Sequence, residues 1–91
     1  MKSIVQDFPG CYLCGRQTGL EKHHIFAGVA NRKISERIGA WVMLCPQCHR
    51  GTDGAQYNAL VNKRLKMDAQ TAYERTHSRE EWMRLIGKNY L

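Results

Sequence analysis

Two Cys-x-x-Cys pairs constrain this chain more than any other feature of its sequence. Cys11 and Cys14 form the first pair, Cys45 and Cys48 form the second, and the 30 residues 15–44 separate them. Four thiolates in two such turns can hold one Zn²⁺ tetrahedrally at about 2.3 Å. Because the start of the chain does not read as a secretory signal, structural zinc is favoured over disulfides or a redox pair. A structural zinc would also help to stabilise a chain of only 91 residues, since a domain this small buries only about 60% of its unfolded surface.

The charge of the chain is basic. Fourteen Lys and Arg residues stand against eight Asp and Glu residues, which gives +6 at pH 7. Four thiolates and one Zn²⁺ would lower this charge by two, to +4. Such a charge favours polyanion partners, although a generally solvated basic surface explains it equally well. No stretch approaches the roughly 18 apolar residues of a membrane span, so we expect a soluble, cytoplasmic protein without a membrane partner.

The first half of the chain has the pattern of strands. Residues 20–26 and 40–45 have the apolar and aromatic bias of two short strands. Closing the four cysteines onto one metal would bring these strands together as a hairpin. Residues 27–39 between them are polar, and they predict a loop with one helical turn.

The second half changes to the period of a helix. Residues 55–67 place four apolar residues on one helical face: Tyr57, Leu60, Val61 and Leu65. Asp68 is predicted to cap a further short helix over residues 69–76. We therefore expect an α+β class for residues 1–91 as a single domain, with a strand pair early and helices late.

The last helix has a capping-box signature. Ser78 is followed three residues later by Glu81, and Gly87 is a natural end. Its apolar face consists of Trp82, Leu85 and Ile86. We expect three aromatic residues to pack the helices over the sheet rather than stack on bases: Tyr73, Trp82 and Tyr90. His77 is predicted to be exposed.

Three histidines remain once zinc has four sulfur ligands. His23 and His24 are neighbours, and His49 directly follows the fourth cysteine. Consecutive strand residues point to opposite faces, so the neighbouring pair indicates two different roles. One packed and one solvated histidine is the alternative. The adjacency, the fixed His49 and the basic segment together favour a second, catalytic metal site.

The order of these motifs is specific when it is taken as a whole. It runs from Cys-x-x-Cys through His-His-Ile-Phe and a basic Asn-Arg-Lys segment with Ser-Glu after it, to Leu-Cys-x-x-Cys-His. This order resembles the HNH endonucleases, also called ββα-metal or His-Me finger nucleases, and is most similar to small phage or prophage-type members. The resemblance covers about residues 11–58, and 59–91 would be a helical tail. It implies a ββα-metal core with a β-hairpin, a Cys₄ zinc site and additional C-terminal helices.

The resemblance implies a role for each histidine. His23 would bind the catalytic divalent cation, which is Mg²⁺, Mn²⁺, Ni²⁺ or Zn²⁺; His24 would be the general base; and His49 would bind the same cation. The implied activity is hydrolysis of DNA phosphodiester bonds, which suits a histidine that takes a proton from water near neutral pH. For a phage-encoded protein, the resemblance also implies the host cytoplasm as location, with packaging or recombination proteins as candidate partners.

The chain departs from the family pattern at two places. The middle Asn of the family stands just before the second strand, where this chain has Ala40–Trp41, and Asn31 or Asn58 are the alternatives. Near relatives have a histidine at the place of Gln56, so that Gln56 or Asp53 would supply the ligand. These departures keep a second function open, namely a zinc-stapled DNA-binding module with weak or no catalysis.

Five basic residues lie near the histidines in sequence: Lys22, Arg32, Lys33, Arg37 and Arg50. Side chains that neutralise phosphates would be needed at this place. A solvated loop is the alternative, but the position beside the histidine pair favours contact with DNA. Contact with the backbone alone predicts a weak sequence preference.

Overall fold

The structure, a computed structural model, describes residues 1–51 and 54–91. Over these two ranges the chain forms four helices and one two-stranded antiparallel sheet. In chain order the elements are β1 (Glu21–His24), α1 (Val29–Ile38), β2 (Trp41–Leu44), α2 (Pro46–Arg50), α3 (Ala59–Tyr73) and α4 (Arg79–Ile86). Helices α1 and α2 lie in segments that were expected to be loops or turns. The predicted α+β class is confirmed.

The two predicted strands pair with each other. His23 lies opposite Val42, and His24 lies opposite Trp41. Val42 and Leu44 are fully buried, whereas Trp41 and Met43 are only partly so, which is the alternation expected of a strand with one face on the core. Both strands are shorter than expected, and the predicted pairing is confirmed.

The segment 27–39 contains a ten-residue helix, so the prediction of a loop was wrong. Helix α1 ends at Gly39, which adopts the left-handed conformation at φ 78°. Its buried residue is Ser35, whose hydroxyl donates to the carbonyl of Phe26 at 3.2 Å and accepts from the Phe26 N–H at 3.1 Å. Because a polar side chain fixes this helix to the core, no apolar period reveals it.

Helix α3 begins four residues later than predicted. The side chain of Asn58 accepts hydrogen bonds from the N–H groups of Leu60 and Val61 and so fixes the first turn. Tyr57 therefore lies outside the helix, and Leu60 is 80% exposed, so the proposed apolar face was wrong at these two positions. Leu65 is fully buried and Val61 packs against the core, as expected.

Asp68 does not begin a separate helix, and that prediction was wrong. It lies within α3, which continues to Tyr73. Its carboxylate accepts a hydrogen bond from the Tyr12 hydroxyl at 2.8 Å and another from Arg64 Nε at 3.0 Å. Burial, and then the hydrogen bond to Asp68, raise the pKa of Tyr12 to about 12. Asp68 therefore connects α3 to the first cysteine turn.

The predicted capping box of α4 is confirmed. Ser78 accepts from the N–H of Glu81, the Glu81 carboxylate accepts from the N–H of Ser78, and Gly87 ends the helix at φ 83°. Trp82 is fully buried against Phe26, with ring centroids 5.5 Å apart. The last helix is therefore part of the core.

The three aromatic residues expected to pack the helices do so. Tyr73 contacts Trp82 at 5.6 Å between ring centroids, and Tyr90 contacts Phe26 at 5.9 Å. His77 is exposed, as predicted, and its ring stacks on Tyr73. Among the described residues, no helix has the length and apolar character needed to cross a membrane.

Candidate active site and metal centre

The four cysteines come together at one end of the sheet. Their Sγ atoms all lie within 4.8 Å of one another, and Cys14 Sγ lies 3.6 Å from Cys45 Sγ. Four sulfurs at about 2.3 Å from one Zn²⁺ would be separated by about 3.8 Å along each edge of the tetrahedron. The donor set and its spacing therefore fit a structural metal ion such as zinc.

Both cysteine pairs are fixed by backbone hydrogen bonds. In the first turn the N–H of Gly15 donates to the carbonyl of Cys11 at 2.8 Å, with Gly15 at φ 82°. The N–H of Tyr12 donates to the carbonyl of Met43 in β2 at 2.8 Å. Cys45 directly follows β2 and is the N-cap of α2, where Pro46 occupies the first turn. Strand β2 thus positions both halves of the cluster.

The thiols of the cluster differ in acidity. Burial raises the pKa of Cys11, but hydrogen bonds with backbone groups of Cys45, Cys14 and Leu13 outweigh burial and lower the pKa to about 6. Burial, and then the neighbouring Cys45, raise the pKa of Cys48. Four close thiols cannot all ionise without a compensating cation, because their negative charges repel. Full deprotonation would therefore require the metal.

His23 and His49 meet on one face of the sheet. Their ring centroids are 5.0 Å apart in an edge-to-face arrangement. His23 Nε2 is buried and has no hydrogen-bond partner within residues 1–51 and 54–91. Burial, and then the charges of His49 and His24, lower the pKa of His23 to about 4. The ring is therefore neutral near pH 7, which is the form that binds metal ions.

Glu21 orients His49 from the same strand face. Glu21 Oε1 lies 2.9 Å from His49 Nδ1, and this hydrogen bond, together with Arg50, lowers the pKa of the Glu21 carboxyl. Metal-binding histidines commonly use their second nitrogen in this way, and the contact fixes both the tautomer and the ring orientation. Glu21 was not predicted from the sequence, although its place two residues before His23 on one strand face was a usable signal.

The segment after α2 holds His49 in place. The N–H of Ala55 donates to the carbonyl of Cys48 at 2.7 Å, and the N–H of Gln56 donates to that of His49 at 3.1 Å. Gly54 lies so close that an added Cβ would stand 2.7 Å from the Gln47 carbonyl oxygen. This part of the chain therefore needs a glycine to pack against the end of α2.

His24 lies on the opposite face of the sheet. Its Nε2 is 2.7 Å from Glu36 Oε2, and Lys22 Nζ is 3.0 Å from Glu36 Oε1. These contacts, His24 first, lower the pKa of Glu36, so the carboxylate is ionised near neutral pH. The Lys22 ammonium also lies 4.1 Å from the ring centroid of Trp41. The two neighbouring histidines are therefore divided between two faces, as expected.

The five basic residues fall into two groups. Lys22 and Arg50 form ion pairs, with Glu36 and Glu21 respectively, so their charges are partly neutralised. The other three lie exposed on α1: Arg32, Lys33 and Arg37. Since the segment is helical rather than a loop, the backbone positions of these three residues are fixed on the helix whose Glu36 contacts His24.

The candidates for the missing Asn and for a further ligand lie elsewhere. Ala40 is fully buried and has no side-chain amide, Asn31 is exposed on α1, and the Asn58 side chain caps α3. Gln56 adjoins His49 through its backbone. Asp53 lies outside the described residues.

Comparison of the chain with protein-family models, with curated proteins and with solved structures found no match.

Proposed function

We propose that the protein is a metal-dependent DNA endonuclease of the HNH type. The observation that carries this proposal is the pair of imidazoles formed by His23 and His49, with the buried His23 Nε2 lacking a partner among the described residues and His49 held by Glu21. An unpartnered buried nitrogen costs about 1–3 kcal/mol, which a bound cation would offset. The resemblance in sequence motifs supports the same assignment.

His23 and His49 are the residues that would hold the catalytic divalent cation. Both belong to rigid elements, the end of β1 and the short helix α2, and the neutral His23 ring has a lone pair available. A divalent cation bound here would stabilise the negative charge that develops on the phosphate and on the leaving oxygen. The remaining positions around it would be open to phosphate and water.

His24 would remove the proton from the attacking water. The ionised Glu36 accepts a hydrogen bond from His24 Nε2–H, which leaves the lone pair on Nδ1 to take a proton. A base held by a third group in this way is the usual arrangement in acid–base catalysis. For this role, Nδ1 of His24 must reach the water that attacks a phosphate bound at His23 and His49.

A zinc-stapled DNA-binding module is the second candidate function. In the part of the chain that the structure describes, the four cysteines are the sole group of three or more His, Cys, Asp or Glu donors close enough to share one ion. The imidazole pair thus supplies two protein ligands, which would bind a catalytic cation weakly. Both candidate functions include a structural zinc. Phage proteins as partners follow from the resemblance only, and a cytoplasmic location follows from the sequence; both are proposals.

Plasmid nicking separates these two functions. The zinc-loaded protein is incubated with supercoiled plasmid and Mg²⁺, Mn²⁺, Ni²⁺ or Zn²⁺, and parallel reactions contain no added metal. Nicked or linear product that forms only with added metal supports the endonuclease. DNA binding by a folded protein without cleavage under any of these metals would favour the binding module.

Glu36→Gln is expected to lower the rate of cleavage by about 10–100-fold, as is typical when the partner of a functional histidine is removed. The amide keeps the shape of the side chain but removes the charge that orients His24. Glu80→Gln is the matched control, because Glu80 pairs with Arg84 on α4 and is remote from the sheet. The measurement is single-turnover cleavage at saturating metal. Equal rates for Glu36→Gln and Glu80→Gln would exclude the role of Glu36.

Combined replacement of Arg32 and Lys33 by alanine is expected to flatten the slope of log affinity against log salt by about 1.8, because each phosphate that a side chain neutralises adds roughly 0.9 to this slope. The affinity of the variant for DNA should fall by a similar factor for different DNA sequences. The matched control replaces Arg79 and Arg84, which pair with Glu74 and Glu80. Fluorescence anisotropy over a salt series measures both quantities. A slope unchanged from the control would remove α1 from the DNA-binding surface.

A further inference from the structure

A cavity of about 710 Å³ lies beside the end of α2, bounded by residues 55–59, one face of α3 and residues 88–91. Three lysines contribute to its wall: Lys63, Lys66 and Lys88. Lys63 and Lys66 lie three residues apart on α3, which places them on neighbouring positions of one helical face. None of the described lining residues has an acidic side chain, and these lysines form none of the ion pairs found in residues 1–51 and 54–91.

Two of the lysines converge on one aromatic ring. Lys66 Nζ is 5.6 Å and Lys88 Nζ is 5.4 Å from the ring centroid of Tyr90. The ring attracts both ammonium groups. Neither ammonium group forms an ion pair within residues 1–51 and 54–91, so both positive charges are available to a negatively charged ligand.

The wall that carries Lys88 is fixed by buried contacts. Gln70 is fully buried, accepts from the N–H of Tyr90 at 2.7 Å and donates to Asn89 Oδ1 at 2.8 Å. The indole of Trp82 donates to the carbonyl of Lys88 at 2.9 Å. The segment is therefore anchored to α3 and α4, and the cavity is preformed rather than shaped by its ligand.

Three asparagines of the wall already form hydrogen bonds. Asn58 caps α3, Asn62 donates to the carbonyl of Ala55, and Asn89 accepts from Gln70. The three lysines form no ion pair among the described residues, and Tyr57 at the rim is 68% exposed, so these side chains are available to a ligand. Ammonium groups of this kind act as point charges toward phosphate, without selecting a base.

The wall of the cavity adjoins the candidate active site through backbone contacts. Ala55 and Gln56, which line the cavity, donate hydrogen bonds to the carbonyls of Cys48 and His49. Because a DNA strand carries one phosphate for each nucleotide, a strand bound at His49 would have further phosphates available for the lysines. We infer that the lysine cavity binds the phosphodiester backbone of a DNA strand adjacent to the active site, as a second DNA surface besides α1. This inference depends on the proposed function only for DNA as the partner.

Removal of the three charges tests the inference. The triple variant Lys63→Gln, Lys66→Gln, Lys88→Gln is compared with a control that also removes three cations, Arg75→Gln, Arg79→Gln, Arg84→Gln. Binding of a 5′-labelled duplex and of the corresponding single strand is measured by anisotropy between about 50 and 200 mM salt, without added catalytic metal, so that DNA is not cleaved and the cysteine cluster keeps its metal. We expect the triple variant to bind either DNA more weakly and to flatten the log–log slope by about 2–3, at about 0.7–0.9 for each neutralised phosphate, and the control to leave both unchanged.

Three results would overturn the inference. In the first, the triple variant has the same slope and DNA affinity as the control. In the second, the single variant Lys63→Glu binds DNA as tightly as the parent. In the third, a mononucleotide at equimolar phosphate displaces the DNA completely. The last would indicate a small-molecule site. The variant Lys63→Glu changes one exposed residue, so it answers the question even if the triple variant does not fold. Because binding is measured without cleavage, a parent that binds through the cavity but never cuts DNA would refute the endonuclease and leave this inference intact.

Discussion

Replacement of His24 by alanine is expected to lower DNA cleavage by about 10²–10⁴-fold while DNA affinity is nearly retained. The substitution removes the proposed proton acceptor and leaves the four cysteines, the sheet and the basic residues of α1 in place. His24 is partly exposed, so its removal costs little packing. Cleavage is measured under single-turnover conditions, and affinity is measured separately without added catalytic metal, so that the structural metal is retained.

His23→Ala separates the metal ligand from the base. Removal of a ligand should weaken binding of the catalytic cation, so cleavage is expected to recover in part as the metal concentration rises. No metal concentration can replace a missing base, and cleavage by His24→Ala should therefore not recover across the same titration. His77→Ala serves as the control, because His77 is exposed, lies between α3 and α4, and stacks on Tyr73. Equal cleavage by the parent and His24→Ala would exclude His24 as the base.

The parts of the fold that were predictable depend on contacts close in sequence or on one strong constraint. The Cys-x-x-Cys spacing led to the cluster of Cys11, Cys14, Cys45 and Cys48, and the cluster in turn led to the pairing of β1 with β2. Ser78 and Glu81 lie three residues apart, so their capping box was visible directly in the sequence. Local geometry is sufficient for such features.

The parts that were missed depend on polar contacts between distant residues. Helix α1 is fixed to the core by the hydroxyl of Ser35, so it lacks the apolar stripe by which surface helices are found. Asp68 has the character of a helix cap, but its carboxylate is occupied by Tyr12, 56 residues away. Sequence periodicity carries no information on either contact.

The candidate site was predictable only in part for the same reason. Alternation along a strand separated His23 from His24, and the cysteine cluster brought His49 to the sheet. The carboxylates that hold two of these histidines, Glu21 and Glu36, were not recognised. Recognition of Glu36 required the correct assignment of α1 as a helix. Glu21 could have been recognised from the strand alternation that had already separated His23 from His24.

Cys14→Ser and Cys45→Ser are both expected to abolish cooperative thermal unfolding. Structural zinc contributes about 10–16 kcal/mol in small zinc-binding peptides, which is comparable to the entire free energy of unfolding of a small domain, about 5–15 kcal/mol. Two of the four clustered cysteines, Cys11 and Cys45, are also among the buried residues of the core. Circular dichroism melts and zinc stoichiometry by mass spectrometry measure the outcome.

Comparison of the two variants distinguishes zinc binding from packing. Cys14 is exposed and Cys45 is buried, so a packing defect alone would harm Cys45→Ser and leave Cys14→Ser within about 0.5 kcal/mol of the parent. Removal of a metal ligand would harm both variants equally. Ala69→Ser is the control for a hydroxyl in the core; we expect it to be less stable by about 1–3 kcal/mol and to keep its zinc. A Cys14→Ser protein with the melting temperature of the parent would show that the cluster does not stabilise the fold through a metal.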